Sequence, residues 1–219
     1  MSAIQAVIFD MDGVIVDSEP SHESAFFHVV EEIGYGTRHG MVFADYVGRT
    51  DEALWQDFLA KHRPPHSLQD LLTRKSAKVL EILRRDEPIF PGLYELVQNL
   101  SQRYRLGLAS GSDRSVVNAV LSLKALGQFF RVTISCSEIS RGKPAPDIFL
   151  QASKELQVAP EHCVVIEDSK PGVAAGLAAG MTVIAITNTH ARRELDHAHY
   201  VVDSYEEIGK LLLEGLDQK

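Results

Sequence analysis

Val7-Ile8-Phe9 is an apolar run that stops at Asp10-Met11-Asp12-Gly13, and no other feature constrains the fold of this chain as tightly. A short uninterrupted apolar stretch reads as a strand buried on both faces, the pattern of a parallel sheet covered by helices. In open sheets of that kind, ligands gather beyond the carboxyl ends of the strands. Two carboxylates separated by one residue at such a point are candidates for chemistry. An Asp-X-Asp met in isolation also reads as an ordinary turn.

The same punctuation recurs. Cys163-Val164-Val165-Ile166 is a second apolar run, and it ends in Glu167-Asp168-Ser169. Acids gathered from two strand ends repel: unit charges ~4 Å apart cost on the order of 4 kcal/mol at an effective dielectric near 20. A cation is needed to hold them. Oxygen donors suit a hard ion, and Mg²⁺ characteristically takes one or two carboxylates, keeps waters and completes its shell with a substrate phosphate. Between the acids, Arg105-Leu106-Gly107-Leu108-Ala109 runs into Ser110-Gly111-Ser112-Asp113, a turn that offers hydroxyls and free amides to an anion. In Arg141-Gly142-Lys143-Pro144-Ala145-Pro146-Asp147, the proline biases Lys143 toward an extended backbone that can aim its ammonium inward.

In order, Asp-X-Asp, a serine turn, a lysine and Glu-Asp resemble the four motifs of the haloacid dehalogenase superfamily. The matching stretches are Phe9-Asp10-Met11-Asp12-Gly13-Val14 with Asp17-Ser18-Glu19, Ala109-Ser110-Gly111-Ser112, Gly142-Lys143-Pro144-Ala145-Pro146-Asp147 and Ile166-Glu167-Asp168-Ser169. The resemblance spans essentially the whole chain. It is greatest to the subgroup with a small helical cap, which includes sugar-phosphate phosphatases and β-phosphoglucomutase.

The resemblance implies a role for each matching residue. Asp10 would be the nucleophile that takes the phosphoryl group as an aspartyl phosphate. Asp12 would be the general acid and base, protonating the leaving oxygen and later deprotonating the attacking water. Mg²⁺ would be held by Asp10, the backbone carbonyl of Asp12, Glu167 and Asp168. Lys143 would add positive charge, and Ser110 would act with it in catalysis by hydrogen bonding the transferring group. Gly111 and Ser112 would contact substrate, joined from the cap by Arg49, His22 and Lys75. The expected activity is Mg²⁺-dependent hydrolysis of a small phosphorylated metabolite, with a sugar phosphate as the expected substrate. The alternative is a β-phosphoglucomutase-like phosphotransferase, in which a sugar hydroxyl replaces water. A phosphoacceptor signalling module shares the acids, hydroxyl and lysine, but its acceptor aspartate follows the paired acids rather than leading them.

Hydrophobic periodicity divides the chain. After Asp17, helical spacing places Phe26, Val29, Val30 and Ile33 on one side, with Ser21 as a cap and Gly34 as a stop. Leu54, Trp55, Phe58 and Leu59 mark a second helix, and a third follows Ser67 with Leu71, Leu72, Val79, Leu80 and Leu83. Pro88-Ile89-Phe90-Pro91-Gly92 marks the return. Strand-like runs at 106–109, 132–135, 164–166, 183–186 and 200–202 then alternate with helical patterns, which predicts a Rossmann-like, doubly wound parallel α/β core with an inserted α-helical cap domain. The expected division is 1–16 with 88–219 for the core and 17–87 for the cap.

A chain of 219 residues with 45% hydrophobic composition can bury a substantial core. Its formal charge of -8 argues against a nucleic-acid duplex as partner. It does not exclude a small phosphate ester, because local cations govern a site. No run is long enough to cross a bilayer, and Met1-Ser2-Ala3-Ile4-Gln5 lacks a signal-peptide pattern, so a cytoplasmic location is the default; a monomer is the expected state, with an oligomer as the alternative. Cys136 and Cys163 lack metal or redox spacing and are expected to be reduced thiols.

Overall fold

The computed structural model describes residues 3–46 and 51–215. Six strands, β1 (Ala6–Phe9), β2 (Arg105–Ala109), β3 (Phe130–Ile134), β4 (Cys163–Glu167), β5 (Thr182–Ile186) and β6 (Tyr200–Val202), form one parallel sheet in the order β3-β2-β1-β4-β5-β6. This is the doubly wound α/β arrangement that the alternating pattern predicts, and its strand order reverses at β1. The helices are α1 (Glu19–Glu32), α2 (Asp51–His62), α3 (Leu68–Asp86), α4 (Leu93–Ser101), α5 (Arg114–Ser122), α6 (Asp147–Leu156), α7 (Lys170–Ala178) and α8 (Tyr205–Glu214).

The chain divides into two compact units, Met1–Asp17 with Pro88–Lys219, and Ser18–Glu87. In the first, every residue of β1 is buried, as a central parallel strand requires. Ile8, Val165 and Val183 from the sheet pack with Phe149 and Ala152 of α6 and Val173 of α7 in one apolar cluster. Register levels the strand ends. Phe9 lies opposite both Leu108 and Ile166, so Asp10 leaves the sheet beside Ala109 on one side and Glu167 on the other.

The helical unit has its own core, in which Trp55 lies with its ring 5.1 Å from Phe26 and 5.4 Å from Phe58. Ser67 caps α3 through the Asp70 amide at 3.1 Å, as its position before the apolar stripe predicts. The start of α1 differs from the expectation of a cap at Ser21. The helix begins at Glu19 with Pro20 in its first turn, and Ser21 is buried inside it. Proline is pre-organised for a first helical turn and needs no amide there, so it outweighs the later serine. Gly34 does end the helix. At φ 85° it follows Ile33, with the Tyr35 amide donating to Val30 and its own amide to Glu31, both at 3.0 Å, the Schellman pattern.

Candidate active site

Asp10 lies one residue beyond β1 and donates its amide to the Ile166 carbonyl at 2.9 Å, which continues the β1–β4 ladder to the strand end. Glu167 is the last residue of β4 and Asp168 follows it. Carboxylate oxygens of Asp10, Glu167 and Asp168 lie within 4.8 Å of one another, and all three residues are buried. Lys143, from the loop before α6, donates to Asp10 Oδ1 at 2.5 Å and Glu167 Oε1 at 2.6 Å. Its ammonium also sits 5.0 Å from the Phe149 ring centroid.

Glu167 is the most completely held of these acids. Its Oε2 accepts from the Asp168 amide at 2.9 Å, the Ser169 amide at 3.0 Å and the Ser169 hydroxyl at 2.9 Å. Ser169 Oγ in turn accepts from the Gly172 amide at 3.2 Å, the N-cap of α7, so helix start and carboxylate are fastened together. Gly172 makes this possible by having no side chain. A Cβ there would lie 1.7 Å from Glu167 Oε1.

The electrostatics of the cluster are unfavourable for three bare anions. Burial raises the Asp10 pKa well above the usual carboxylate range, Lys143 pulls it back, and the charges of Glu167, Asp168 and Asp12 push it further up. Asp168 is pushed up to about 7, chiefly by burial and then by Glu167, with the Thr189 hydrogen bond acting in the opposite sense. Burial acts to lower the Lys143 pKa, but Asp10 and Glu167 more than offset that and hold it well above its usual value. Three carboxylates, once ionised, set against one ammonium would leave two negative charges uncompensated. A hard divalent cation on oxygen donors satisfies both the charge and the donor chemistry.

The remaining predicted residues fall as follows. Asp12 is not part of the three-carboxylate group; its Oδ2 accepts from the Ser112 hydroxyl at 2.7 Å. Met11 between the two aspartates is fully buried, consistent with alternate residues pointing apart. Ser110 is buried past β2, where its Oγ accepts from the Ser112 amide at 3.0 Å. A hydroxyl that accepts there still has its hydrogen to donate. Gly111 sits at the tip of that turn, where a Cβ would meet nothing within 4 Å. In the helical unit, Lys75 is fully buried; its Nζ lies 3.2 Å from His22 Nδ1 and pairs closely with Asp51 Oδ1. Burial lowers the Lys75 pKa, with Asp51 opposing the shift. Arg49 lies outside the described residues.

Three residues that the sequence motifs do not flag also border the site. Thr189, past the end of β5, donates a short hydrogen bond to Asp168 Oδ2. Asn188 Nδ2 donates to the Gly13 carbonyl and to the Tyr205 hydroxyl, both at 2.8 Å, and Tyr205 donates onward to the Val14 carbonyl at 2.6 Å. The signal for the first two was present in Val183–Ile186, one more apolar run that ends in polar residues. Tyr205 carried none.

A doubly wound parallel sheet with acids and a lysine converging where its strand order reverses defines an α/β enzyme with a strand-end polar site. The profile of the haloacid dehalogenase-like hydrolases matches residues 4–180, and the chain belongs to that family. It is 31% identical to hexitol phosphatase B of Escherichia coli (strain K12) over 195 residues, 87% of each chain. It is 28% identical to the fructose-1-phosphate phosphatase YqaB of the same organism over 181 residues, 82% of this chain and 95% of that one. Among solved structures, β-phosphoglucomutase from Clostridium difficile superposes with a TM-score of 0.72 at 25% identity, covering 96% of this chain and 98% of that one. No helix among the described residues is long and apolar enough to cross a membrane.

Proposed function

We propose that this protein is a Mg²⁺-dependent phosphatase for a small phosphorylated metabolite of the sugar-phosphate class, working through an aspartyl phosphate on Asp10. The observation that carries the reading is the buried group of Asp10, Glu167 and Asp168 with Lys143 bridging the first two. The phosphatase relatives support the substrate class.

Asp10, Glu167 and Asp168 would hold the cation, together with the Asp12 carbonyl; when bound, it neutralises acids and phosphate and polarises the transferring group. Asp10 attacks phosphorus in line with the leaving oxygen. Lys143 orients Asp10 through Oδ1 and lowers the repulsion between carboxylate and phosphate. Ser110 and the Gly111 amide donate to the equatorial oxygens as charge spreads over them. Asp12, steadied by the Ser112 hydroxyl, delivers a proton to the leaving oxygen and then takes one from the water that cleaves the aspartyl phosphate.

The test is a phosphate-release screen over sugar and nucleotide monophosphates with and without Mg²⁺, repeated on Asp10→Asn and with a sugar bisphosphate added. Release that needs Mg²⁺ and vanishes in Asp10→Asn is the expected result, and turnover retained in Asp10→Asn refutes the assignment. The likeness to a solved β-phosphoglucomutase favours a second reading. Negligible phosphate release with isomerisation that depends on the bisphosphate would establish it instead.

A further inference from the structure

Thr187-Asn188-Thr189-His190 leaves the sheet next to the acidic end of β4, because β5 pairs in parallel with β4 and sets Ala185 opposite Glu167. Thr189 Oγ1 meets Asp168 Oδ2 in a short hydrogen bond and lies 3.4 Å from the Asp168 carbonyl. On the other side of the hydroxyl, His190 Nδ1 is 2.9 Å away. Gly13 closes the arrangement. A Cβ on it would fall 1.9 Å from Asp168 Oδ2 and 2.9 Å from Thr189 Cγ2, so the Asp168 oxygen is wedged between a bare backbone carbon and the threonine.

With Asp168 ionised, as a cation ligand must be, counting hydrogens fixes the direction of the chain. A hydroxyl has one hydrogen, and a carboxylate can only accept. With the Thr189 hydrogen on Asp168, the hydroxyl oxygen is left to accept from His190 Nδ1–H. The order is therefore His190 to Thr189 to Asp168. The partner matters because Asp168 belongs to a buried group of like charges in which a carboxylate gains by rotating away. Of the three acids, Glu167 has two amides and a hydroxyl on one oxygen and Lys143 on the other, and Asp10 has Lys143.

We propose that Thr189 is a positioning residue for Asp168, fixing its rotamer so that the carboxylate is presented to a divalent cation, with His190 fixing the hydroxyl. The proposal rests on the reading of Asp10, Glu167 and Asp168 as the cation site. Partners of this kind behind metal ligands change affinity by about 10–100-fold when removed.

The experiment is calorimetric titration of substrate-free protein with Mg²⁺ for the wild type, Thr189→Val and Thr189→Ser, with the Mg²⁺ dependence of phosphate release measured alongside. Valine keeps the shape and deletes the hydroxyl. Thr189→Val is expected to weaken Mg²⁺ binding by about 10-fold and to raise the Mg²⁺ level for half-maximal rate equally, leaving kcat at saturating Mg²⁺ and the substrate KM unaltered. Thr189→Ser is expected to restore most of the affinity. Wild-type affinity in a folded Thr189→Val overturns the proposal, and so does a serine variant as weak as the valine one. Should Thr189→Val fail to fold, Thr189→Ala against Thr189→Ser isolates the hydroxyl with the methyl missing from both, and equal affinities there refute it. A wild type that binds no Mg²⁺ sinks the cation reading and this inference with it; one that binds while Thr189→Val binds equally sinks the inference alone.

Discussion

Gly172→Ala tests the architecture of the acidic site more sharply than removal of any acid. Gly172 lies in the first turn of α7 without a left-handed backbone, so alanine suits the conformation and in an open helix would stabilise by about 0.5–1 kcal/mol. Here the new methyl would sit 1.7 Å from Oε1, 1.8 Å from Cδ and 2.2 Å from Oε2 of Glu167. The carboxylate is the end of a flexible side chain, yet it cannot swing aside freely. It holds two amides, the Ser169 hydroxyl and Lys143, and it is fully buried. Displacing it breaks a buried ion pair, at about 3–5 kcal/mol.

A double-mutant cycle isolates the clash, because the three atoms nearest the new methyl all lie beyond the Cγ of Glu167. In the Glu167→Ala background the added methyl meets none of them, and Gly172→Ala becomes neutral or stabilising. The cycle therefore predicts a coupling energy of about 3–5 kcal/mol and a change of sign. Urea unfolding followed by circular dichroism measures each corner, and Gly172→Ala alone is expected to lower Tm by on the order of 10 °C in a chain of this size. If Gly172→Ala costs under about 0.5 kcal/mol beside an intact Glu167, the surface-substitution range, the packing of the carboxylate against α7 is wrong.

Tyr205→Phe removes the buried donor to Val14 and a part-buried acceptor for Asn188, and is expected to cost about 1–3 kcal/mol in chemical denaturation; an unchanged midpoint refutes the tether. Lys75→Met replaces a fully buried ammonium by an apolar side chain of similar length, while Asp51 keeps 40% of its side chain in solvent. Thermal melts are expected to shift by no more than about 1 kcal/mol for Lys75→Met, whereas Asp51→Ala strands the buried ammonium and costs on the order of 2 kcal/mol. A reversed ranking would mean that the pair is held for stability, and a raised substrate KM in Lys75→Met would support a recognition role.

The strand ends were legible because a single rule governs them: apolar runs buried on two faces must stop where chemistry starts. That rule located Asp10, Ser110 and Glu167, and parallel register then levelled Asp10 with Glu167. Two kinds of information were not legible. Gly172 reads in sequence as turn punctuation after Pro171, although its function is to leave room for a carboxylate five residues earlier, and a missing atom has no periodicity. Tyr205 reaches back to Val14 across most of the chain, so its role exists only once β5 and α8 are assembled around the first strand's loop. Lys75 reads in sequence as a cap residue that contacts substrate, and its burial against Asp51 and His22 was not legible because those partners come from α2 and α1. The short-range signal at Ser21 misled for the reverse reason, since Pro20 supplied a stronger local preference one residue away.

The acidic group also sets a conflict between stability and function that a neutral substitution exposes. The folded Asp168 holds its proton up to about pH 7, whereas an unfolded aspartyl group releases it near its ordinary value of 3.8. A raised pKa contributes stability fully below the unfolded value, and that contribution is lost as pH rises through the folded one. Metal-free protein therefore loses stability between about pH 4 and pH 7 on account of this residue, as the carboxylate is forced to ionise beside Glu167. Asp168→Asn cannot ionise and its carbonyl still accepts from Thr189. In EDTA it is expected to melt above the wild type at pH 8, with the advantage fading toward pH 4. Saturating Mg²⁺ reverses the order, because only the wild type gains binding free energy from the ion. Melts of both proteins at several pH values, with and without Mg²⁺, measure this directly. An Asp168→Asn protein that melts below the wild type in EDTA at pH 8 would mean that the carboxylate is already compensated by the protein, and that the uncompensated charge from which the cation was inferred does not exist.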